Sequence, residues 1–572
     1  MRITSTRRLL MAGTGVLGSA MALAACVGDR NEPRRQDRVV EPGAQTPEDD
    51  AALPPTAWAR MPYDDVPQGG SITEAILTIP VNWNRLQVDG NDTDTTRIAR
   101  PCGAEAEISH SETGEKTLNP DYIESAEIIS EDPQTVAFRY NPDAVWEDGS
   151  PIVVDDLIAQ WKALNGADPD FVTVTEAGWD QISSITRTDD EFSGEIVYSA
   201  PYLDWILCLH PTCPAEVFAD AETFNTGYAS EPTPSKGPFR VGSLDEGAGM
   251  VTLVPNENWW GRAPKLDHLV FQVVDQSEQP RSFADGEIDL LEINTGDVLR
   301  RAEDRDDAII QRTHGLAWTH VTLNTQGGDG ALEDVKVREA IARGIDRDAI
   351  GRAVLEPLDS PVVLVDNFVY LPGQDGYEDS FGGLEFDPEA AGALLDDAGW
   401  VLEGETRTKD GRTLELSLVV PADTPSNFDR ARQIQTNLTS IGIDVELQTV
   451  PADGYFPDHV RPGAFDLVTF SWVGAAHPES SSANLLHPLD SGQNYTNFTD
   501  DRVAALDEQL KAAFDVEERH RLANENSTII AESFAVIPLY STPQVWGVKE
   551  TIVNHGASLF ESTDWTQVGL KV

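Results

Sequence analysis

Apolar and polar residues follow a strand-like pattern in the first part of the chain, beginning near residue 69. Gly69 and Gly70 precede a run from 71 to 79 that is rich in Ile, Thr and Leu and is typical of a strand. Two further strands are predicted at 126–129 and 135–140, on either side of a polar turn. This half of the chain is therefore predicted to be rich in strands.

After residue 320, strands and amphipathic helices alternate. The segment 335–345 places Val337, Ile341 and Ile345 on one helical face. Further helices are predicted at 387–399, 427–441, 502–514 and 518–533, and strands at 321–325, 414–420, 443–450, 465–470 and 536–540. This alternation predicts an α/β fold with mixed sheets flanked by helices.

The first 25 residues predict an export signal. Three arginines precede an apolar stretch at 9–23 that is short and diluted by glycine, so it favours a signal peptide over a membrane span. It ends in Leu23-Ala24-Ala25-Cys26, the pattern at which bacterial lipoproteins are cleaved and lipidated on the cysteine. The alternative is a soluble secreted protein in which Cys26 follows the cleavage site by chance. The paired arginines fit a twin-arginine route as well as the general secretory route.

Residues 26–68 are polar and rich in proline, which predicts a lipidated Cys26 followed by a flexible tether. No other segment has 18 consecutive apolar residues. We therefore expect a protein held by lipid at the outer face of the cytoplasmic membrane, on the periplasmic or extracellular side.

Charge and composition narrow the function further. The 572 residues include 41 Lys and Arg against 97 Asp and Glu, a formal net charge of −56. This balance argues against a nucleic-acid partner, which would need a basic face. The hydrophobic share of 40% is enough for buried cores, and four cysteines are too few for a disulfide-dense scaffold.

The cysteines other than Cys26 carry two expectations. Cys208 and Cys213 are close in sequence, which predicts a local disulfide in an oxidising compartment. The rival interpretation is a metal site with His210, but three ligands fall short of the usual four, so we expect no metal. Cys102 is expected to be buried as a small apolar residue.

Several punctuated segments resemble, in their order, the peptide/nickel-type solute-binding proteins (oligopeptide/dipeptide type, family 5) of ATP-driven importers. They are Val145–Pro151 with Asp155-Asp156, Gly237-Pro238-Phe239 with Asn256–Gly261, Gly286–Asp289, Asn324-Thr325 with Val337–Ile341 and Ile345-Asp346-Arg347, and Asp387–Trp400. The resemblance covers about residues 69–550.

The resemblance implies a two-lobed clamp like the periplasmic binding proteins (type II, with an extra inserted subdomain). The first lobe would combine 69–95, 235–320 and 535–572, the inserted subdomain would be 96–234, and the second lobe would be 321–534. The lobes would close on a ligand by a hinge motion near His320 and Ser533. Such a receptor is expected to be a monomer that meets membrane permease subunits.

Candidate ligand-binding residues are aromatic or amide side chains in loops at strand ends. They are Asn82, Trp83, Trp318, Asn324, Asn367, Tyr370, Trp472, Tyr495 and Asn497. Each has packing as its alternative role. Trp472 is favoured because the family commonly places ligand-contacting residues in that segment.

The same segment departs from the family pattern. Peptide binders often carry an Asp shortly after this Trp to pair with the ammonium group of the peptide, whereas here the first carboxylate after Trp472 is Glu479. A buried ammonium without an anion costs several kcal/mol. Either Glu479 or another acid supplies that charge, or the ligand has no free amino terminus at this place.

No hydrolase, phosphate-loop or dinucleotide motif is found in the sequence, so we expect neither catalysis nor a cofactor. The resulting hypothesis is a lipid-anchored receptor that captures a peptide or similar small solute and delivers it to a permease. The alternatives are an envelope-tethered hydrolase, and a sensor or chaperone that uses the same clamp. The sequence does not identify the ligand.

Overall fold

A computed structural model describes residues 53–103, 106–109, 116–422, 424–474, 477–479 and 493–572. The predicted signal peptide, Cys26 and residues 27–52 of the predicted tether lie outside the described residues.

The strands are β1 (Ser71–Ile76), β2 (Glu107–Ser109), β3 (Lys116–Leu118), β4 (Ile123–Glu131), β5 (Gln134–Tyr140), β6 (Ile182–Arg187), β7 (Ser193–Tyr198), β8 (Phe239–Asp245), β9 (Met250–Pro255), β10 (His268–Val273), β11 (Leu290–Glu292), β12 (Ala308–Leu323), β13 (Val401–Glu403), β14 (Thr406–Lys409), β15 (Arg412–Thr413), β16 (Glu415–Pro421), β17 (Asp444–Val450), β18 (Leu467–Val473), β19 (Val536–Lys549), β20 (Ile552–Val553) and β21 (Gly569–Leu570).

The helices are α1 (Thr93–Ala99), α2 (Val154–Leu164), α3 (Ala221–Thr226), α4 (Gln279–Ala284), α5 (Gly296–Ala302), α6 (Val335–Gly344), α7 (Arg347–Leu355), α8 (Pro388–Asp397), α9 (Pro425–Ser440), α10 (Asp501–Lys511) and α11 (Val516–Ser533). A short helical segment at Ala452–Gly454 continues as a π-helix at Tyr455–Val460.

The predicted α/β alternation of the second half is confirmed. The helices predicted at 335–345, 427–441 and 518–533 are α6, α9 and α11, and Asp346 and Asp515 cap α7 and α11 with their side chains. The strands predicted at 321–325 and 536–540 are too short. They are the ends of β12 and β19, which extend to 16 and 14 residues.

Three larger sheets organise the chain. The first-lobe sheet has the order β1-β10-β9-β8, and the inserted-subdomain sheet has the order β4-β5-β7-β6. The second-lobe sheet has the order β11-β19-β12-β18-β16-β17. It is covered on one face by α6 to α9 and on the other by α10 and α11, which makes three layers. The separate cores support the division proposed from the resemblance, whose boundaries stay a prediction.

The family-like motifs of the inserted subdomain belong to its core. Trp146 is 2% exposed and its Nε1 donates to Asp156 at 3.2 Å. The same carboxylate accepts from the backbone N–H groups of Val153 and Ala215. Asp156 therefore ties the start of α2 to two loops, which explains why an acid follows this tryptophan.

Strands β12 and β19 run from the first-lobe region into the second lobe, paired with each other for most of their length. Their pairing is interrupted between Thr313 and Ala317, opposite Gln544 and Thr542. A Cβ at Gly315 would lie 2.0 Å from the carbonyl oxygen of Thr542, so a glycine is required where the strands approach. A second irregularity in the same pairing lies between Thr319 and His320, and the hinge crossings expected near His320 and Ser533 stay a prediction.

The flexible tether predicted at 26–68 is wrong for its last part. Trp58 and Val66 are buried, at 8% and 2% exposure. The backbone N–H of Ala57 donates to Ala557 at 3.0 Å, and Arg60 forms a 2.6 Å ion pair with Glu561. Because these apolar side chains have a surface to pack on, residues 53–66 adhere to the C-terminal segment of the chain despite their polar, proline-rich composition.

The predicted disulfide between Cys208 and Cys213 is also wrong, since both are free thiols. Each thiol has its own partner, Tyr198 for Cys208 and Thr233 for Cys213, so the two sulfur atoms are held in different surroundings. Both are buried, and Cys102 is half-buried and free. Burial raises the pKa of all three thiols, that of Cys213 to about 11.

These thiols are therefore expected to be unreactive in the folded protein. A soluble form that begins after Cys26 contains three cysteines, and we expect Ellman's reagent to titrate none of them at pH 7.5 in native buffer and all three in guanidinium chloride. Prior reduction should leave the denatured count unchanged. If only one thiol reacted in the denatured, unreduced protein, the other two would be joined in a disulfide, as the sequence predicts.

Candidate functional site

An aromatic row crosses the centre of the second-lobe sheet. Trp318 and Trp472 are directly opposite each other on β12 and β18. The ring of Trp472 lies nearly parallel to those of Tyr495 and His320, at centroid distances of 6.0 and 6.1 Å and interplanar angles of 8° and 11°. Phe368 packs edge-on against Trp318. The structure therefore brings three of the predicted residues, Trp318, Trp472 and Tyr495, into one cluster.

The space beside this row is small. A cavity of about 10 Å³ is lined by Trp318, Thr322, Phe368, Trp472, Gln493, Tyr495, Thr496 and Val536. That is room for about one water molecule. A larger guest at this place would need the aromatic side chains or the lobes to move.

His320 is completely buried within the aromatic row. Its Nδ1 lies 3.1 Å from the Thr322 hydroxyl, and its Nε2 has no hydrogen-bond partner. Burial, with a smaller contribution from Arg430, lowers its pKa from 6.5 to about 3. The imidazole is therefore neutral at physiological pH.

Protonation of His320 should destabilise the protein in acid. The unfolded chain binds this proton below pH 6.5 and the folded chain only near pH 3. The stability that this group contributes is thus complete above about pH 6.5 and falls by roughly 3–5 kcal/mol as the pH approaches 3. Urea unfolding of His320→Phe should be less sensitive to pH between 7 and 4, whereas replacement of the exposed His268 by Gln should leave the sensitivity unchanged. An identical pH profile for His320→Phe would contradict this.

Four predicted amides serve the fold. Asn82, Asn324 and Asn367 are buried, and their amide groups bond within the protein. Asn367 accepts from the backbone of Val369 and donates to Asn524. Asn497 donates to Asn324. Trp83 lies in the first-lobe core at 6% exposure. We therefore retain Trp318, Tyr370, Trp472 and Tyr495 as the candidates.

Tyr370 leads from the aromatic row to a polar site. Its hydroxyl lies 3.2 Å from Oε1 of Glu479, and its ring stands edge-on to His520. Burial and the Glu479 carboxylate raise the pKa of Tyr370, so the hydroxyl keeps its proton and donates it. Glu479 is the first carboxylate after Trp472, and the structure places it within reach of this candidate residue.

Charged groups of the inserted subdomain meet the second lobe beside Glu479. His477 lies between Glu107 and Asp204, at 2.9 and 3.4 Å. Lys116, on β3, interacts electrostatically with both of these acids and with Glu479. We call His477, Glu107, Asp204, Lys116 and Glu479 the interlobe cluster.

Sequence reasoning did not single out Glu107, Lys116, Asp204 or His477. His477 and Glu107 are 370 residues apart, and neither belongs to a local motif. No signal in a single sequence pairs them, because in this acidic chain each carboxylate is one of 97.

Arg519, near the start of α11, completes the surroundings of this cluster. It interacts electrostatically with Lys116 and Tyr370. Its Nε is buried and without a hydrogen-bond partner. Arg519 therefore adds a positive charge to the surroundings of the interlobe cluster.

The described ranges contain neither a candidate membrane span nor a candidate metal cluster. None of their helices is both long and apolar enough to cross a bilayer. In the same ranges, no group of three or more His, Cys, Asp or Glu side chains is arranged to hold a metal ion.

Comparison with known proteins identifies the family. The model of the bacterial extracellular solute-binding proteins, family 5, matches residues 117–494. The oligopeptide-binding protein OppA of Mycobacterium tuberculosis is 34% identical over 506 residues, covering 88% of this chain and 85% of its own.

Solved structures agree in fold. The periplasmic EDTA-binding protein EppA superimposes with a TM-score of 0.78 at 28% identity, covering 91% of this chain and 99% of its own. The oligopeptide-binding protein AppA of Bacillus subtilis, in complex with a nonapeptide, gives 0.66 at 17% identity and covers 89% and 100%. These neighbours confirm the predicted two-lobed fold. The chain therefore belongs to the bacterial extracellular solute-binding proteins of family 5.

Proposed function

We propose that this protein is a lipid-anchored receptor that captures peptides between its lobes and delivers them to the permease of an ATP-driven importer. Its work would be differential affinity between open and closed forms, without chemical change of the ligand. It would act as a monomer.

The observation that carries the proposal is the meeting of an aromatic row and a charged cluster where the two lobes touch. Aromatic rings offer sequence-tolerant contact area to peptide side chains. Glu479, held by Tyr370, offers a carboxylate for an ammonium group. The 34% identity to an oligopeptide-binding protein supports the same ligand class.

The crossing strands provide a route to closure. The pairing of β12 with β19 is irregular between Thr313 and Ala317 and again between Thr319 and His320, and both places are local weak points in the ladder. A rotation there would separate His477 from Glu107 and Asp204 and admit a ligand.

A thermal-shift screen tests the ligand class. Mixtures of peptides of two to nine residues should raise the melting temperature, because a ligand at a hundredfold excess over its Kd stabilises the bound form by about 2.7 kcal/mol. Mass spectrometry should recover the peptides intact. Cleaved peptides would support the hydrolase, and no shift with any peptide would reject the proposed ligand.

A second candidate ligand is a metal chelate that carries several carboxylates. It is favoured by the 28% identity to the EDTA-binding protein and by the cation of Arg519 beside the cluster. Fe(III)-EDTA, added in the same screen, separates the candidates. A shift with the chelate and none with peptides would replace the peptide proposal.

Two cellular experiments test the anchor and the transport role. Cys26→Ala should move the protein from the membrane fraction to the soluble fraction. Deletion of the gene should abolish uptake of a peptide that binds the purified protein. Unchanged uptake would favour the sensor or chaperone.

A further inference from the structure

Residues 53–66, which we call the strap, pair with residues 554–561, which we call the C-terminal loop. Thr56 and Ser558 form an antiparallel bridge, and the main-chain hydrogen bonds on its two sides measure 3.0 and 2.8 Å. The strap thus binds the C-terminal loop in the manner of an added strand, through backbone groups.

Side chains hold the strap beyond this bridge. The amide of Asn554 accepts from the N–H of Met61 at 2.9 Å and donates to the carbonyl of the same residue at 2.8 Å. Arg60 donates two hydrogen bonds to the carboxylate of Glu561, at 2.7 and 2.6 Å. The indole of Trp58 is buried. The strap therefore restrains the C-terminal loop from its first residue to its last.

The C-terminal loop is also fixed to the two strands that cross between the lobes. The N–H of Ala557 donates to Oε1 of Gln311 on β12, and Nε2 of Gln544 on β19 donates to the carbonyl of Ser558, both at 2.8 Å. Gln544 pairs with Thr313, the last residue before the first irregularity in the β12–β19 pairing. The loop is therefore attached on the first-lobe side of that irregularity.

Leu559 extends the contact to the second lobe. Its side chain is buried. A Cβ placed on Gly373 would lie 3.2 Å from Cδ2 of Leu559 and 3.6 Å from Cδ2 of His314. Gly373 follows Tyr370 in the loop of the candidate site, and His314 lies in the irregular stretch of β12. Leu559 thus packs beside the second lobe at the place where the crossing strands can bend.

A second route leads from the C-terminal loop to the surface where the lobes touch. Ser562, the next residue, exchanges two hydrogen bonds of 3.2 Å with Ser109 of β2. The same strand carries Glu107, whose carboxylate lies 2.9 Å from Nε2 of His477. The loop that the strap restrains is therefore connected to both sides of the interlobe contact.

We propose that the strap is a brace for the hinge: while it is docked, it holds the C-terminal loop against the second lobe and favours the closed arrangement of the lobes. A rotation between Thr313 and Ala317 would draw Gly373 away from Leu559, because the loop is attached on the first-lobe side. Apolar surface of Leu559 would then meet water, which opposes opening. The effect on ligand capture rests on the proposed receptor function, whereas the coupling between the strap and the lobes does not.

The experiment measures closure in ligand-free protein. Because the native thiols are buried or half-buried, spin labels can be directed to cysteines introduced at exposed positions, Glu127→Cys in the inserted subdomain and Asp458→Cys in the second lobe. Electron–electron distance measurements then give the ratio of closed to open molecules.

Trp58→Ala combined with Arg60→Ala removes the side chains that hold the strap and leaves the C-terminal loop unchanged. This variant should lower the closed-to-open ratio about three- to tenfold. Hydrogen–deuterium exchange should show in the same sample that residues 54–66 have lost their protection. Asp64→Ala combined with Asp65→Ala replaces two exposed acids of the strap and should leave both measurements unchanged.

An added peptide separates undocking of the strap from a folding defect. A synthetic peptide with the sequence of residues 53–66 should restore the closed population of the Trp58→Ala, Arg60→Ala variant, and the same peptide carrying both substitutions should not. Loss of protection in the strap with an unchanged closed-to-open ratio would overturn the proposal, even in a chain that binds peptides. Lobes that respond to the strap in a chain that binds no peptide would reject the peptide receptor and keep the brace.

Discussion

Arg347→Met should lower the free energy of unfolding of the second lobe by about 3–5 kcal/mol, because it removes a buried cation around which several acceptors converge. The Arg347 guanidinium is 5% exposed. It donates to the carbonyls of Val365 and Leu384, at the two ends of the loop that carries Phe368 and Tyr370. It also donates to Pro538 of β19 and pairs with Asp366 at 2.7 Å.

Arg347→Met should therefore weaken ligand binding as well as lower the stability, because the loop that carries Phe368 and Tyr370 loses its anchor. Guanidinium titration followed by tryptophan fluorescence measures the stability, and the thermal-shift screen measures binding in the same variant. The free energy of unfolding of Arg347→Lys should lie between those of the natural chain and Arg347→Met, since an ammonium lacks the fixed, planar array of donors of the guanidinium. Lys336→Met removes an exposed cation from α6 and should change stability by about 0.5 kcal/mol or less. If the free energy of unfolding of Arg347→Met were within about 1 kcal/mol of that of the natural chain, the stabilising role of Arg347 would be disproved.

Arg347 also shows why the fold could be predicted from the sequence. The motifs that suggested the family are held in place by one another. Trp146 bonds to Asp156, and Asn256 donates to the carbonyl of Gly237. Arg338 donates to the carbonyls of Leu332, Glu333 and Ser533. Residues that satisfy buried backbone groups have few chemical substitutes, so they leave a readable pattern.

The candidate site is harder to predict from the sequence, because its residues are not part of local motifs. The ligand-facing groups depend on contacts between distant segments, such as His477 with Glu107, and no periodicity or spacing encodes them. The amides Asn82, Asn324 and Asn367 are predicted to contact the ligand because they lie in loops at strand ends. Asparagine side chains in such loops also accept hydrogen bonds from backbone N–H groups two residues further along the turn. The three asparagines have this role in the structure. Aromatic residues on strands were better guides, because cross-strand pairing brings Trp318 to Trp472.

Glu479→Gln should weaken binding of peptides with a free amino terminus by about 10- to 100-fold, because a charge-assisted hydrogen bond becomes a neutral one. The change is nearly isosteric, and the amide oxygen can still accept from the Tyr370 hydroxyl, 3.2 Å from Oε1 in the natural chain. The site should therefore keep its shape while it loses its charge. Calorimetry with one peptide in free and N-acetylated form measures the effect.

The acetylated peptide decides between loss of charge and loss of structure. Its affinity for Glu479→Gln should equal its affinity for the natural chain, since it brings no ammonium to the site. Glu378→Gln removes an exposed carboxylate from the loop that carries Tyr370 and should leave both affinities unchanged. Equal weakening of the two peptides would mean that Glu479 shapes the site rather than pairing with the ligand. If neither weakened, the ammonium would meet a different acid, and Glu107 and Asp204 would be the next to replace because they are the other carboxylates of the interlobe cluster.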